Sequence, residues 1–523
     1  MRHHRLSALL SLLAILILCG CAAITGGRVD TPLALTILHT NDHHGRFWKN
    51  KHGEHGLAAR KTLADRVRAE VAAQGGDVLL LDAGDINTGV PESDMLDAEP
   101  DIRGMNAMGY DAMAVGNHEF DNPLSVLRRQ EAWMDFPLLS ANIYNATGER
   151  LFAPYHVFRL HGLTVAVFGL TTETTAVAGN PTHVRGLTFR PAVDEARELV
   201  PILRGKADVV IALAHLGYDA SGATGSVALA RAVPGIDLIV DGHSHTELTT
   251  PILENGTVIV QAGEYGKYLG RVDLVRESGR TRLVKGSLLP VNLTRKIERN
   301  GQTVRESAGE AVPEDPAMLA LLSSFQEHGD AALLTEIGRG TGNFTSDRAI
   351  MRQRETDIGN LACLALVDKT GADVAVMNSG GIRAGLPAGA ISYRDVLCVK
   401  PFGNTICTVA MTGAEVAEYL RAAASMPPDS GSFAQFAGVS LTLKKGALHD
   451  PRVAGAPLDP AKTYTLAVES YLANGGDGYP KLTAHPGFTD TGFVDADALK
   501  DYIAAHSPLD PDQYAPTDAV RRE

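Results

Sequence analysis

The sequence predicts an α/β chain of two domains joined by a helical linker, and three observations predict it. The chain is 523 residues long, more than one hydrophobic core ordinarily serves. Short apolar runs of strand length alternate with longer amphipathic stretches in two separate blocks. A polar interval and one stretch of helical periodicity divide those blocks.

The N-terminal segment is of a different kind. Arg2 and Arg5 precede an apolar run, Leu9–Leu18, that is too short to span a bilayer comfortably. It ends in Leu18-Cys19-Gly20-Cys21, which resembles a bacterial lipobox. Residues 1–20 are therefore expected to be a signal peptide, Cys21 a lipidated N-terminus and 21–32 a tether. Ala22 follows the cysteine in place of aspartate, which by resemblance to sorted lipoproteins implies the outer membrane, facing the periplasm or the exterior. No later segment is long and apolar enough to cross a membrane.

In the first block, Leu33–Leu38, Val78–Leu81, Met113–Val115, Thr164–Leu170, Val209–Leu213, Leu238–Val240 and Val258–Val260 read as buried strands. Arg60–Ala73 and Val193–Leu203 read as helices between them. This rhythm predicts a layered α/β domain over 33–312. The polar stretch Lys296–Glu314 breaks the pattern, and Pro316–Ala332 has the periodicity of a bridging helix, giving a linker over 313–335. The second block, 336–523, is a further αβ unit with strands at Val374–Met377, Thr408–Met411, Val439–Leu443 and Tyr464–Val468.

A net charge of −13 argues against a binder of nucleic-acid polymers, which needs a basic face. Small anionic substrates need only a local basic cluster. Nothing marks a protein partner. Beyond Cys21 the thiols are Cys363, Cys398 and Cys407, none in a CxxC spacing, and they are expected to be buried apolar residues. Cys398 and Cys407 flank the Pro401–Asn404 turn, so a pairing between them stays open.

The strand ends of the first block carry the chemistry. They read Thr40-Asn41-Asp42-His43-His44-Gly45, Asp82-Ala83-Gly84-Asp85, Gly116-Asn117-His118-Glu119-Phe120-Asp121, Ala214-His215-Leu216-Gly217 and Asp241-Gly242-His243-Ser244-His245. One such motif alone means little, since a lone His-x-His is commonly a surface accident and Asp-Gly is a turn signal. Strand ends of an α/β sheet converge on one edge, however, so five loops distant in sequence can meet. Asp, Asn and His together give the mixed oxygen and nitrogen donors that suit zinc, manganese or similar ions. A carboxylate between two such ions can hold them about 3.5–4 Å apart.

This series resembles the calcineurin-like metallophosphoesterases. The C-terminal half, with Asp429–Phe436 and Gly475–Pro480, narrows the resemblance to the 5′-nucleotidase family, nearest its bacterial periplasmic branch that acts on nucleotides and UDP-sugars. The resemblance implies two divalent metal ions (zinc, manganese or cobalt). Asp42, His44 and His245 would hold the first, Asp85 would bridge, and Asn117, His215 and His243 would hold the second; His43 would not ligate. His245 stands where enterobacterial members have glutamine and most of the family has histidine, which shifts the expected preference towards zinc. His118 would be the catalytic acid or phosphoryl stabiliser, with Asp121 holding its imidazole protonated.

The same resemblance makes Arg348, Arg352 and Arg383 contacts for phosphate or sugar. Phe402 and Tyr471 match a pair that sandwiches the base, worth about 1–3 kcal/mol per stacked base and tolerant of base identity. Tyr471 replaces the usual phenylalanine, a change that stacking survives. Asn404 and Gly431 would meet the base edge and Asp477 the ribose hydroxyls. In this family the C-terminal domain rotates about the linker, which would put hinge residues near 330–336. The expected function is an exported 5′-nucleotidase. The alternatives are a 2′,3′-cyclic-nucleotide phosphodiesterase with 3′-nucleotidase action, and a non-catalytic nucleotide-binding lipoprotein.

Overall fold

The computed structural model describes residues 32–50, 52–178, 183–299, 302–345 and 347–523. The expected signal peptide, most of the tether and Cys21 lie outside them. No helix among the described residues is long and apolar enough to cross a membrane.

Two six-stranded sheets face each other in the N-terminal domain. The first runs Arg280–Pro290, Tyr268–Glu277, Leu33–Thr40, Asp77–Asp82, Ala112–Ala114, Leu138–Leu139. The second runs Ile252–Glu254, Thr257–Val260, Leu238–Val240, Val209–His215, Thr164–Thr171, Tyr155–Arg159. Ile37, Leu79, Leu81, Val165, Ile211, Leu213 and Val272 fill the space between them. Helices Leu57–Ala73 and Glu99–Met108 cover the outer face of one sheet, and Ala192–Arg204 and Gly225–Ala232 that of the other. Strands buried on both faces must be apolar throughout, which is why Val209–His215 lacks alternation. The central strands of each sheet pair in parallel, so their carboxyl ends share an edge.

The linker helix spans Pro316–Leu333. The Asp315 carboxylate accepts the Met318 N–H at 2.8 Å and starts it. Met318 and Leu322 anchor it in the same core as Leu57 and Ile102. The polar stretch before it, read from sequence as a break in pattern, contains a two-stranded hairpin, Thr294–Arg299 with Gln302–Ser307. Its strands carry charged or polar residues on most positions and so gave no apolar signature.

The C-terminal domain is built on a five-stranded mixed sheet in the order Ala434–Ala437, Val374–Asn378, Thr463–Glu469, Thr405–Thr412, Phe488–Val494. Helix Asp357–Thr370 packs on it, begun by the Thr356 side chain and ended at Gly371, whose φ of 67° only glycine adopts without cost. Cys363 and Cys407 are buried and Cys398 partly so, and all three are free thiols. The pairing left open between Cys398 and Cys407 is absent. The two domains touch directly: Arg394 Nε donates to Glu92 Oε1, a carboxylate 1% exposed.

Candidate active site

The carboxyl ends of the N-terminal strands bring all seven expected metal ligands into one cluster. His215 Nε2 lies 3.0 Å from Asp85 Oδ2, 3.2 Å from Asn117 Oδ1 and 4.0 Å from Asp42 Oδ1. His243 Nδ1 lies 2.8 Å from Asn117 Oδ1. On the other side, His245 Nε2 is 3.3 Å from both Asp42 Oδ1 and His44 Nε2. Asp85 Oδ2 reaches His44 Nε2 at 4.0 Å and so faces both groups. His43 points away, with Nε2 2.8 Å from Asp101 and Nδ1 3.2 Å from Arg60.

The local backbone is bent to achieve this. Asp42, His44, Asp85, His243 and His245 all have φ between 50° and 75°. Left-handed non-glycine residues are uncommon and cost about 1–3 kcal/mol each, and such strain gathers at functional sites. Neighbouring groups hold the bends. Glu119 accepts the N–H groups of Asp85, Ile86 and Gly116. Asp241 accepts those of Leu216, Gly217 and Gly242. A Cβ on Gly116 would fall 2.2 Å from Asp85 Oδ1, so only glycine lets that carboxylate in.

The histidines are oriented as ligands. His44 Nδ1 sits 2.8 Å from the Thr88 carbonyl, His215 Nδ1 2.7 Å from the Ala83 carbonyl, and His245 Nδ1 against the Glu264 carboxylate. Protons placed there leave each Nε2 lone pair facing the cluster, the arrangement metal-ligating imidazoles use. Burial pushes His44 well below its usual range and takes His243 down to about 4, so both are neutral. Burial also opposes charge on His215 and His245. Asp85 and Asp42 override it at His215, and Asp42 and Glu264 at His245, taking each up to about 10. Protons there occupy the places that cations would take, and a bound metal would displace them. The donor set, its orientation and its excess of negative charge fit divalent cations.

His118 stands at the edge of this cluster. Its Nδ1 is 2.5 Å from Asp121 Oδ2, and its backbone N–H donates to Asp85 Oδ1 at 2.9 Å. Burial opposes its charge, but Asp121 and Asp85 raise its pKa to about 9. From the other domain the Phe402 ring stacks on it, centroids 6.0 Å apart and planes 17° apart.

Arg352, Arg383, Phe402, Asn404, Gly431, Tyr471 and Asp477 line a single cavity, with Asn117, His118 and Asp121 as its far wall. Arg348 is set apart from these, in the adjoining cavity with Asp85, His243, His245 and Arg383. Burial, with Arg348 and Arg383 beside it, lowers Arg352 to about 10, against the opposing pull of Asp477. Tyr471 Oη donates to Asp477 Oδ1 at 2.9 Å and Asn378 Nδ2 to Asp477 Oδ2 at 2.7 Å. A Cβ on Gly476 would strike the Tyr471 ring at 2.5 Å, so that glycine sets where the ring lies.

Residues 35–247 match the family model for calcineurin-like phosphoesterases, and residues 336–484 match that for the 5′-nucleotidase C-terminal domain. The 5′-nucleotidase of Vibrio cholerae is 48% identical over 544 residues, covering 98% of each chain.

The chain belongs to the 5′-nucleotidase family.

With that family it is a metal-dependent phosphoester hydrolase of two α/β domains. Protein UshA of Escherichia coli is 50% identical over 519 residues, covering 94% of each chain. The solved structure of a 5′-nucleotidase precursor from Thermus thermophilus superposes with a TM-score of 0.74 at 30% identity, covering 94% of this chain and 99% of that one.

Several contributors had no signal in the sequence. Glu264 orients His245 from a loop that carries no ligand motif. Beside it Tyr265, at φ 61°, presents its face to the Arg46 guanidinium, 3.5 Å from the ring centroid, and its edge to His44. Glu119 lies inside a motif but works as a backbone clasp. Asn378, which donates to the Asp477 carboxylate, carried no signal of its own.

Proposed function

We propose that this protein is an exported 5′-nucleotidase that hydrolyses nucleoside 5′-monophosphates to nucleoside and phosphate. The observation that carries this reading is the shared wall. His118 and Asn117 line both the cavity at the ligand cluster and the cavity that holds Phe402 and Tyr471. A phosphate at the cluster and a nucleoside between the aromatic rings are therefore neighbours, as in a 5′-nucleotide.

In this reading Asp42, His44 and His245 would hold one divalent cation, Asn117, His215 and His243 would hold the other, and Asp85 would serve both. Such a pair acidifies a coordinated water and offsets phosphoryl charge. The protein's own groups do the rest. Arg348, Arg352 and Arg383 bind phosphate oxygens. His118, kept protonated by Asp121, holds its Nε2 proton towards the phosphoryl group or departing oxygen. Phe402 and Tyr471 flank the base, Asn404 and Gly431 meet its edge, and Asp477 takes the ribose hydroxyls. Zinc suits the four-histidine character best, with manganese and cobalt as further candidates.

Nucleoside diphosphate sugars are proposed as a second substrate class, since the cavity beside Arg348 and His245 leaves room past the phosphate. The stacked contact between Phe402 and His118 and the Glu92–Arg394 pair support a state in which the domains face each other for turnover, with residues 330–336 as the hinge. Export and a lipid anchor on Cys21, facing the periplasm or exterior, rest on Arg2, Arg5, Leu9–Leu18 and the lipobox pattern.

The test is phosphate release by the purified protein from AMP and from 2′,3′-cyclic AMP. AMP is expected to give the larger kcat/KM. A larger value for the cyclic substrate would assign the protein to the phosphodiesterase reading, and no release from either would favour a binding role.

A further inference from the structure

At the inner wall of the nucleoside cavity, which Glu469 helps to line, lies a buried ionic knot that no part of the proposed chemistry uses. Lys400 is 1% exposed, Glu469 0% and Asp495 1%. Lys400 Nζ donates to the Gly381 carbonyl at 2.8 Å and to Glu469 Oε1, and lies 3.3 Å from Asp495 Oδ2. Burying one ammonium and two carboxylates is costly, and apolar residues of the same volume often do as well or better for stability alone. The knot's position in the chain supplies another reason for it.

Each of its members is tied to a nucleoside-cavity residue. Lys400 stands two residues before Phe402, and Glu469 two before Tyr471. The Asp495 N–H donates to the Asn404 carbonyl at 2.9 Å. Gly381, whose carbonyl completes the ammonium's contacts, stands two residues before Arg383. The strand that follows Phe402, Thr405–Thr412, and the one that precedes Tyr471, Thr463–Glu469, pair through Ile406 and Glu469, so the two aromatic segments meet one sheet side by side. One ammonium thus joins the chain segments of the two rings and of the arginine loop. It donates to acceptors on two of these segments and forms an ion pair with Asp495 on a third.

We propose that Lys400 and Glu469 are positioning residues that fix the spacing of Phe402 and Tyr471, and so set how tightly the nucleoside half of the substrate is held. This rests on the 5′-nucleotidase reading above. Two rings grip a base only when their separation is held near the thickness of the inserted plane. A fixed ionic knot at the root of both segments maintains that gap when the cavity is empty, which lowers the ordering cost on binding.

The test compares AMP with p-nitrophenyl phosphate, which has neither base nor ribose, in wild type, Glu469→Gln and the double variant Lys400→Met/Glu469→Gln. The first variant keeps an acceptor for the ammonium, and the second removes the ammonium with one of its carboxylates, leaving Asp495, which burial already raises to about 7, to take up a proton. Both are expected to raise the AMP KM about tenfold or more, the equivalent of losing one well-stacked base, with kcat changed much less. Adenosine inhibition should weaken in parallel. The ratio of kcat/KM for AMP to that for p-nitrophenyl phosphate should fall by the same factor, a split that general destabilisation does not produce. Equal losses on both substrates, or an unchanged AMP KM in both variants, would overturn the proposal. A wild-type protein that cleaves p-nitrophenyl phosphate but not AMP would sink the 5′-nucleotidase reading itself, and the positioning role with it.

Discussion

Replacing Asp85 by asparagine is expected to lower kcat/KM for AMP by at least about 10³-fold, because a bridging carboxylate supports both cations and they supply several kcal/mol of transition-state stabilisation. Asp85 faces His215 at 3.0 Å and His44 at 4.0 Å, so it serves both halves of the ligand cluster. Nearby cationic His215 and His118 hold it well below the usual carboxylate range despite burial, so it is ionised at any working pH. Asparagine keeps the shape and can still accept the His118 N–H through its side-chain oxygen. The loss would therefore come from missing charge and not from a collapsed loop. Steady-state phosphate release together with metal content per chain checks this; an Asp85→Asn protein that retains both would remove the bridging role.

His118→Asn is expected to cost about 10²–10⁴-fold in kcat, the range for a positioned general acid. Metal content should be kept, since the histidine is not among the seven proposed ligands. The pH dependence separates acid catalysis from packing. The raised pKa of His118 means the imidazolium persists through neutrality and is lost as pH rises through about 9. An activity that needs it should fall on the alkaline side. In Asp121→Asn the carboxylate that raises the pKa is gone, so the falling limb should move to lower pH. A pH profile for Asp121→Asn that superimposes on wild type would contradict the assignment.

Much of this was legible in the sequence because the fold and the site share one signal. Buried parallel strands must be apolar, and each ends abruptly in polar residues at the edge where ligands gather; Val209–His215, apolar up to its final histidine, shows both at once. The linker helix was legible from periodicity alone. What escaped notice lacked either property. Thr294–Arg299 and Gln302–Ser307 form a hairpin out of charged and polar residues. Glu264 acts through a single contact from a loop. Lys400, Glu469 and Asp495 come together only because three separate elements converge, and an isolated Lys or Glu in a sequence reads as a surface charge. The free thiols of Cys398 and Cys407 show the limit from the other side, since proximity along a turn did not bring their sulfurs together.

The most direct measurement is phosphate release from AMP by the purified protein before and after EDTA, followed by addition of zinc, manganese or cobalt with metal counted per chain. Activity abolished by chelation and restored as metal approaches two ions per chain, the number that two-cation phosphoesterase sites take, is the expected result. Release that persists in protein shown to be free of metal would contradict the dimetal site and the roles assigned to all seven of its residues.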